Sequence, residues 1–157
     1  MKEIIKLVLF FILTLVIGSC SAESKPKIIR GVVNITPAYA NKGGPSDTLY
    51  IFVFKALKKE GPESAPESHP AYLRETPPLV IKKISPVLFP VKFEISEQDV
   101  LFPENQFKDQ INVVARLSRS GSPLAKKGDL EGVYKKNPAK VGDQNLEILI
   151  NQEASLN

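Results

Sequence analysis

The stretch Leu49-Tyr50-Ile51-Phe52-Val53-Phe54 decides the fold. Successive side chains of a strand point to opposite faces, so Leu49, Ile51 and Val53 share one face and Tyr50, Phe52 and Phe54 the other. Both faces are apolar. The run is rich in β-branched and aromatic residues and short for a helix. It predicts a central strand over Leu49–Ala56, covered on both sides or packed against a neighbouring layer.

Working outward, Ile28–Thr36 alternates. Ile29, Gly31, Val33 and Ile35 fall on one face, Arg30 and Asn34 on the other, which predicts a half-buried strand. Pro37 ends it, and Asn41-Lys42-Gly43-Gly44-Pro45 reads as a loop. On the other side, Lys58–Thr76 sets Pro62, Pro66 and Pro70 among Glu, Ser and Lys. Such a segment buries too little apolar area to offset its ordering entropy, and it predicts a disordered insert at 58–76 between paired strands.

Further strands are expected at Leu79–Ile84, at Val91–Ile95, at Ile111–Ser118 and from Leu146 to Asn151, with a seventh near Leu130–Tyr134. Ser96-Glu97-Gln98-Asp99 predicts one capped helical turn. Ser120-Gly121-Ser122-Pro123 and Lys127-Gly128-Asp129 predict turns, with Gly121 and Gly128 supplying backbone freedom and Asp129 bonding its following backbone. Thirteen prolines, nine glycines and no tryptophan suit short strands and turns. The expected class is all-β: an antiparallel β-sandwich of six or seven strands, immunoglobulin-like in architecture, preceded by a signal peptide.

That signal occupies residues 1–19. Lys2 and Lys6 precede an apolar run from Leu7 to Ile17, which is shorter than the roughly 20 residues a membrane span needs. Ile17-Gly18-Ser19-Cys20 resembles the lipobox of bacterial lipoproteins. Cys20 is the only cysteine, so no disulfide partner exists in the chain. These features predict cleavage before Cys20, lipidation of Cys20, a tether over 20–27, a domain over 28–152 and a tail at 153–157. Removing the signal leaves about 138 residues, enough for one domain with its own core. The expected location is the cell envelope, held to the outer or inner membrane by lipid, with the domain in the periplasm or at the cell surface.

Catalysis finds little support in the residues. The one histidine, His69, lies in the insert, and the one cysteine is assigned to lipid. No zinc, copper or haem ligand set is present, and no cofactor is expected. A triad base needs a fixed place within about 3 Å of its nucleophile, and no G-x-S-x-G elbow appears. Gly43-Gly44 precedes a strand and lacks the helix that would bind phosphate. The formal charge of +4 is spread in both signs along the chain, with no basic block of the kind that binds nucleic acid. Asp99-Val100-Leu101-Phe102-Pro103 is more apolar than a loop requires, which leaves open a plug at the end of the sandwich and a partner-binding surface.

Several pieces, in order along the chain, resemble the C-terminal periplasmic domain of the CcmI/CycH cytochrome c maturation proteins. They are Asp47–Ala56, Pro77-Pro78-Leu79-Val80-Ile81-Lys82-Lys83, Pro90–Asp99, Val113-Val114-Ala115-Arg116-Leu117-Ser118-Arg119-Ser120-Gly121 and Gly128-Asp129-Leu130-Glu131-Gly132. The resemblance runs from Ile28 to Gln152 outside the insert. It implies a non-enzymatic role, with apocytochrome c or cytochrome maturation proteins as partners. Arg116, Gly121, Gly128 and Asp129 carry its most specific part, as a structural or partner motif in which Arg116 is placed to pair with a carboxylate such as Asp129. The residues read here hold no counterpart of that family's transmembrane helices and tetratricopeptide repeats, and a lipid anchor is expected in their place. A structural or surface-exposed envelope lipoprotein unrelated to cytochromes and a small-ligand binder remain alternatives.

Overall fold

The computed structural model describes residues 27–56 and 77–155. The signal segment, Cys20, the tether up to residue 26, the insert with His69, and residues 156–157 lie outside the described residues. The strands are β1 (Ile28–Ile35), β2 (Thr48–Lys55), β3 (Val80–Ile84), β4 (Val91–Ser96), β5 (Gln110–Ser118), β6 (Leu130–Val133), β7 (Ala139–Lys140), β8 (Leu146–Ile150) and β9 (Gln152–Glu153). A one-turn helix, α1 (Pro37–Ala40), and a 3-10 turn at Glu97–Asp99 complete the elements.

Two sheets form an immunoglobulin-like sandwich. One has the order β4-β1-β8; the other has the order β3-β2-β5-β6-β9, with β7 also paired to β5. Leu49, Ile51 and Val53 of β2 sit at 0% exposure in the core between the sheets, with Ile29, Val33, Phe93, Ile95, Ile111, Leu117, Ile148 and Ile150. The alternation in the sequence puts these residues inward, and each fully buried aliphatic or aromatic side chain contributes about 1.5–3 kcal/mol. Tyr50, Phe52 and Phe54, on the outer face of β2, form a second cluster with Val114, packed by Ile81 and Val133. The expected central strand with two apolar faces is therefore present, between β3 and β5.

Three features depart from the sequence reading. β1 and β8 run parallel, with Gly31 opposite Leu146 and Val33 opposite Ile148; alternation reads the same in either direction, so the pattern carries no sign of it. β7 and β9 have two residues each, too few to show a period. Glu153 belongs to β9, and Ala154 N–H donates to the Asp129 carbonyl at 2.8 Å, so the paired chain runs into the segment read as a tail.

β8 and β9 join the two sheets. Between them, Asn151 N–H donates to the Glu131 carbonyl at 3.2 Å. Gly132 allows this closure: a Cβ there would collide with the Leu149 carbonyl oxygen, its carbon at 2.6 Å and the Ile150 nitrogen at 2.8 Å. Across the same core, the Phe93 ring lies over Gly31, 2.7 Å from where a Cβ would stand. The remaining edge strands carry Lys82 and Lys83 on β3 and Lys92 and Glu94 on β4. Such charges discourage edge-to-edge pairing.

The registers define two ends. Lys27, the end of β4, the 3-10 turn and the insert's flanks, Ala56 and Pro77, lie at one end, hereafter the tether end. The loops 36–47, 85–90 and 119–129 lie at the other.

Candidate functional site

The motif residues meet on the outer face of the larger sheet and in the loop beyond it. Register places Tyr50 of β2 beside Arg116 of β5, and Arg116 beside Glu131 of β6. Arg116 Nη2 and Nε donate to Glu131 Oε2 at 2.7 and 3.1 Å, and Nη1 donates to the Pro123 carbonyl at 3.2 Å. The guanidinium also lies 5.0 Å from the centre of the Phe52 ring, within cation–π range. Arg116 thus pairs with Glu131, and not with Asp129. Both carboxylates follow the turn, and the strand register decides between them.

Asp129 is 1% exposed. Its Oδ1 accepts from Arg119 N–H at 3.1 Å and its Oδ2 from Lys126 N–H at 2.9 Å. The carboxylate therefore reaches back across the turn and over to the end of β5, where the sequence reading had it bonding forward. Gly121 and Gly128 hold φ of +70° and +91°, in the region that favours glycine. Tyr50 Oη donates to the Gly121 carbonyl at 2.6 Å, tying β2 to the same loop. Arg116, Gly121, Gly128 and Asp129 are thus brought to one end of the sheet, each fixing the loop 119–129. The Arg116 guanidinium is turned on Glu131 and the Pro123 carbonyl, and the Asp129 carboxylate on backbone N–H groups. Glu131 is the member that the sequence reading missed; its place between Leu130 and Gly132, in step with Arg116 across the sheet, was the available signal. Glu131 Oε1 is buried without a hydrogen-bond partner among the described residues.

A second polar cluster fixes the tether end. Ser96 and Asp99 form the expected capping box around the 3-10 turn. Asp99 Oδ2 accepts from Ser96 N–H at 2.9 Å, and Oδ1 accepts from Lys82 Nζ at 2.6 Å. Burial alone raises the Asp99 carboxyl. The hydrogen bond from Lys82, then that from the Ser96 backbone, then the Lys82 charge and the Ser96 hydroxyl together outweigh it, and the group lies below the usual carboxylate range.

The apolar loop after this turn divides. Val100 packs against the core, while Leu101 and Phe102 are 43% and 51% exposed. Leu88 and Leu124 are exposed at the opposite end. On the outer face of the smaller sheet, Arg30, Val32, Lys92, Gln144 and Glu147 line a cleft of about 260 Å³. That is below the roughly 300–1,000 Å³ usual for a small-molecule site. Among the described residues, no group of His, Cys, Asp and Glu is placed to hold a metal ion, and no helix is long and apolar enough to cross a membrane.

Comparison with known proteins gives a relative of the whole chain and a family. An uncharacterized protein of Aquifex aeolicus (strain VF5) is 25% identical over 159 residues, which cover 92% of this chain and 93% of that protein. No solved structure matches. Residues 71–151, more than half of the chain, match the family of the cytochrome c-type biogenesis protein H Ig-like domain. The match spans β3 to β8 and the motif at Arg116–Asp129, and it starts after β1 and β2, so the resemblance at Asp47–Ala56 lies outside it. With the sandwich and its 119–129 loop in view, the chain belongs to the family of the Ig-like domain of cytochrome c-type biogenesis protein H.

Proposed function

We propose that this protein is a lipid-anchored, non-catalytic binding domain of the cell envelope that assists c-type cytochrome maturation. Membership of the family over residues 71–151 carries the reading. The geometry of the motif supports it: Arg116, Glu131, Asp129 and Tyr50 are engaged in holding a loop, so activity falls to the surface the loop presents. Recognition by surface loops on a rigid sandwich is a common use of such folds. The run from Lys2 to Cys20 supports export and lipid attachment at Cys20. Two acyl chains or more suffice for stable anchoring, since each buried methylene is worth about 0.8 kcal/mol.

Crosslinking in intact cells, followed by capture and mass spectrometry, tests the reading. Enrichment of apocytochromes or haem-handling subunits is expected. Enrichment of unrelated envelope proteins alone would overturn the cytochrome assignment and favour a general envelope lipoprotein. Cys20→Ser is expected to release the protein from the membrane fraction; a variant that still sediments with membranes would overturn the anchor.

A further inference from the structure

Leu101 and Phe102 form an exposed apolar pair on a loop that the fold holds still. Leu101 N–H donates to the Leu79 carbonyl at 2.9 Å, joining the loop to the start of β3. Asn105 N–H donates to the Phe102 carbonyl at 2.9 Å, closing a turn with Pro103 at its second position, where proline is favoured. Val100 before the pair packs on the core, and Phe107 after it is fully buried. The loop is thus pinned at both sides, and the apolar pair remains outward at 43% and 51% exposure.

The position of the pair indicates what covers it. Lys27, where the described chain begins, bonds Glu97 at 2.9 Å, and Glu97 opens the turn that leads to Leu101. The exposed pair and the chain entry are therefore at the same end. From Cys20 to Lys27 there are seven steps along the sequence. An extended chain spans at most about 3.3–3.6 Å per residue, so an anchored Cys20 keeps this end within about 25 Å of the bilayer.

We propose that Leu101 and Phe102 insert into the bilayer interface and orient the anchored domain with its tether end on the lipid. The inference rests on the lipid anchor proposed above. Aromatic and aliphatic side chains partition to that boundary, and a tethered domain meets it at high effective concentration. The charges beside the pair do not drive the contact, and the exposed Lys55 and Lys140 at this end add to it only on anionic lipid. Lys27 pairs with Glu97, Lys82 pairs with Asp99, and the loop carries Glu104 and Asp109 against Lys108. Insertion should therefore occur on zwitterionic lipid and persist in salt.

The chain has no tryptophan, so a single substitution creates a unique reporter. The full-length lipidated protein carrying Phe102→Trp, and separately Leu124→Trp at the opposite end, is reconstituted into phosphatidylcholine vesicles with or without brominated acyl chains. Intact mass establishes acylation, flotation establishes anchoring, and circular dichroism establishes the fold of each variant. The expected result is a blue shift and quenching by brominated lipid for the reporter at 102 and neither for the reporter at 124. Anchored protein with no quenching at 102, with equal quenching at both positions, or with a blue shift that brominated lipid leaves unquenched because a second copy or another protein covers the loop, would overturn the insertion. Protein that carries no acyl mass and does not float would overturn the anchor itself.

Discussion

Replacing Arg116 with leucine should be among the most damaging single changes on the outer face of the larger sheet. Glu131 is 1% exposed and the Arg116 side chain 14%, so the pair is nearly dry. Glu131 Oε1 already lacks a partner, and Oε2 accepts both bonds from Arg116. Arg116→Leu would leave the carboxylate buried with no cation. Removing one partner of a buried pair costs about 3–5 kcal/mol. The residual exposure of Arg116 places the expected loss near the lower bound, about 3 kcal/mol, even with the Phe52 contact and the Pro123 bond also gone. For a domain of this size, that lowers the melting temperature by roughly 9–15 °C. The double variant Arg116→Leu with Glu131→Leu removes both charges and should recover to within about 1 kcal/mol of the parent, since apolar replacements of buried pairs are often neutral. Urea unfolding followed by circular dichroism and by the fluorescence of the four tyrosines measures all three. A single variant within 1 kcal/mol of the parent, or a double variant as unstable as the single, would refute the reasoning, because it would mean that the pair is hydrated or that Arg116 acts by packing alone.

Asp99 gives a pH dependence. Its pKa is depressed in the folded protein, so its contribution is present above the unfolded value of about 3.9 and is lost as pH falls through the lower folded value; Asp99→Asn should flatten that acid limb in melting curves taken from pH 5 to 2. Asn137 acts as a substitute strand: its Oδ1 accepts from Val113 N–H at 2.9 Å and its Nδ2 donates to the Val113 carbonyl at 3.1 Å. Asn137→Ala strands the buried Val113 N–H, while the Val113 carbonyl keeps its bond from Tyr134 N–H at 3.1 Å, and should cost about 1–3 kcal/mol, with faster hydrogen exchange at the Val113 amide. Gly132→Ala should cost more than the usual 1–3 kcal/mol of overpacking, because the atoms it meets are backbone; Gly31→Ala meets the Leu146 carbonyl and the Phe93 ring, and pairing it with Phe93→Leu should restore part of the loss in urea unfolding.

The strands that alternate were legible because burial on one face imposes period two. That holds for β1, β4 and β8, and the uninterrupted run in β2 announced a strand with two apolar faces; β5 alternates in polarity yet is buried on both faces, Asn112, Val114 and Ser118 included. The capping box at Ser96–Asp99 was legible because it is local. What depended on contacts distant in sequence was not. The partner of Arg116 is fixed by the register of β5 against β6, and that register depends on how the loop 119–129 folds. The direction of β8 beside β1 depends on where a chain some hundred residues later returns. β9 exists because Asn151 carries the chain from one sheet to the other, where it meets the edge of β6. The candidate residues Arg116, Gly121, Gly128 and Asp129 could be picked out as a motif, yet only the fold shows that the polar groups of Arg116 and Asp129 are occupied, by Glu131 and by the backbone of the loop 119–129.

That occupation separates the chemistry of the two ends. At one end, a ring of internal bonds from Tyr50, Arg116, Arg119 and Asp129 sets the shape of the loop 119–129 and leaves Leu124 75% exposed upon it. At the other, Ser96, Asp99 and Lys82 stiffen the turn that carries Leu101 and Phe102 outward. Eight-residue strands such as β1 and β2 hold the ends about 26 Å apart at roughly 3.3 Å per residue. A domain tethered through Lys27 and seated on Leu101 and Phe102 would present the motif loop away from the lipid, at a height set by the strands and not by the tether. Under that arrangement the family motif shapes a surface offered to a soluble or membrane-projecting partner, while the apolar loop, which the motif does not include, determines how that surface is aimed.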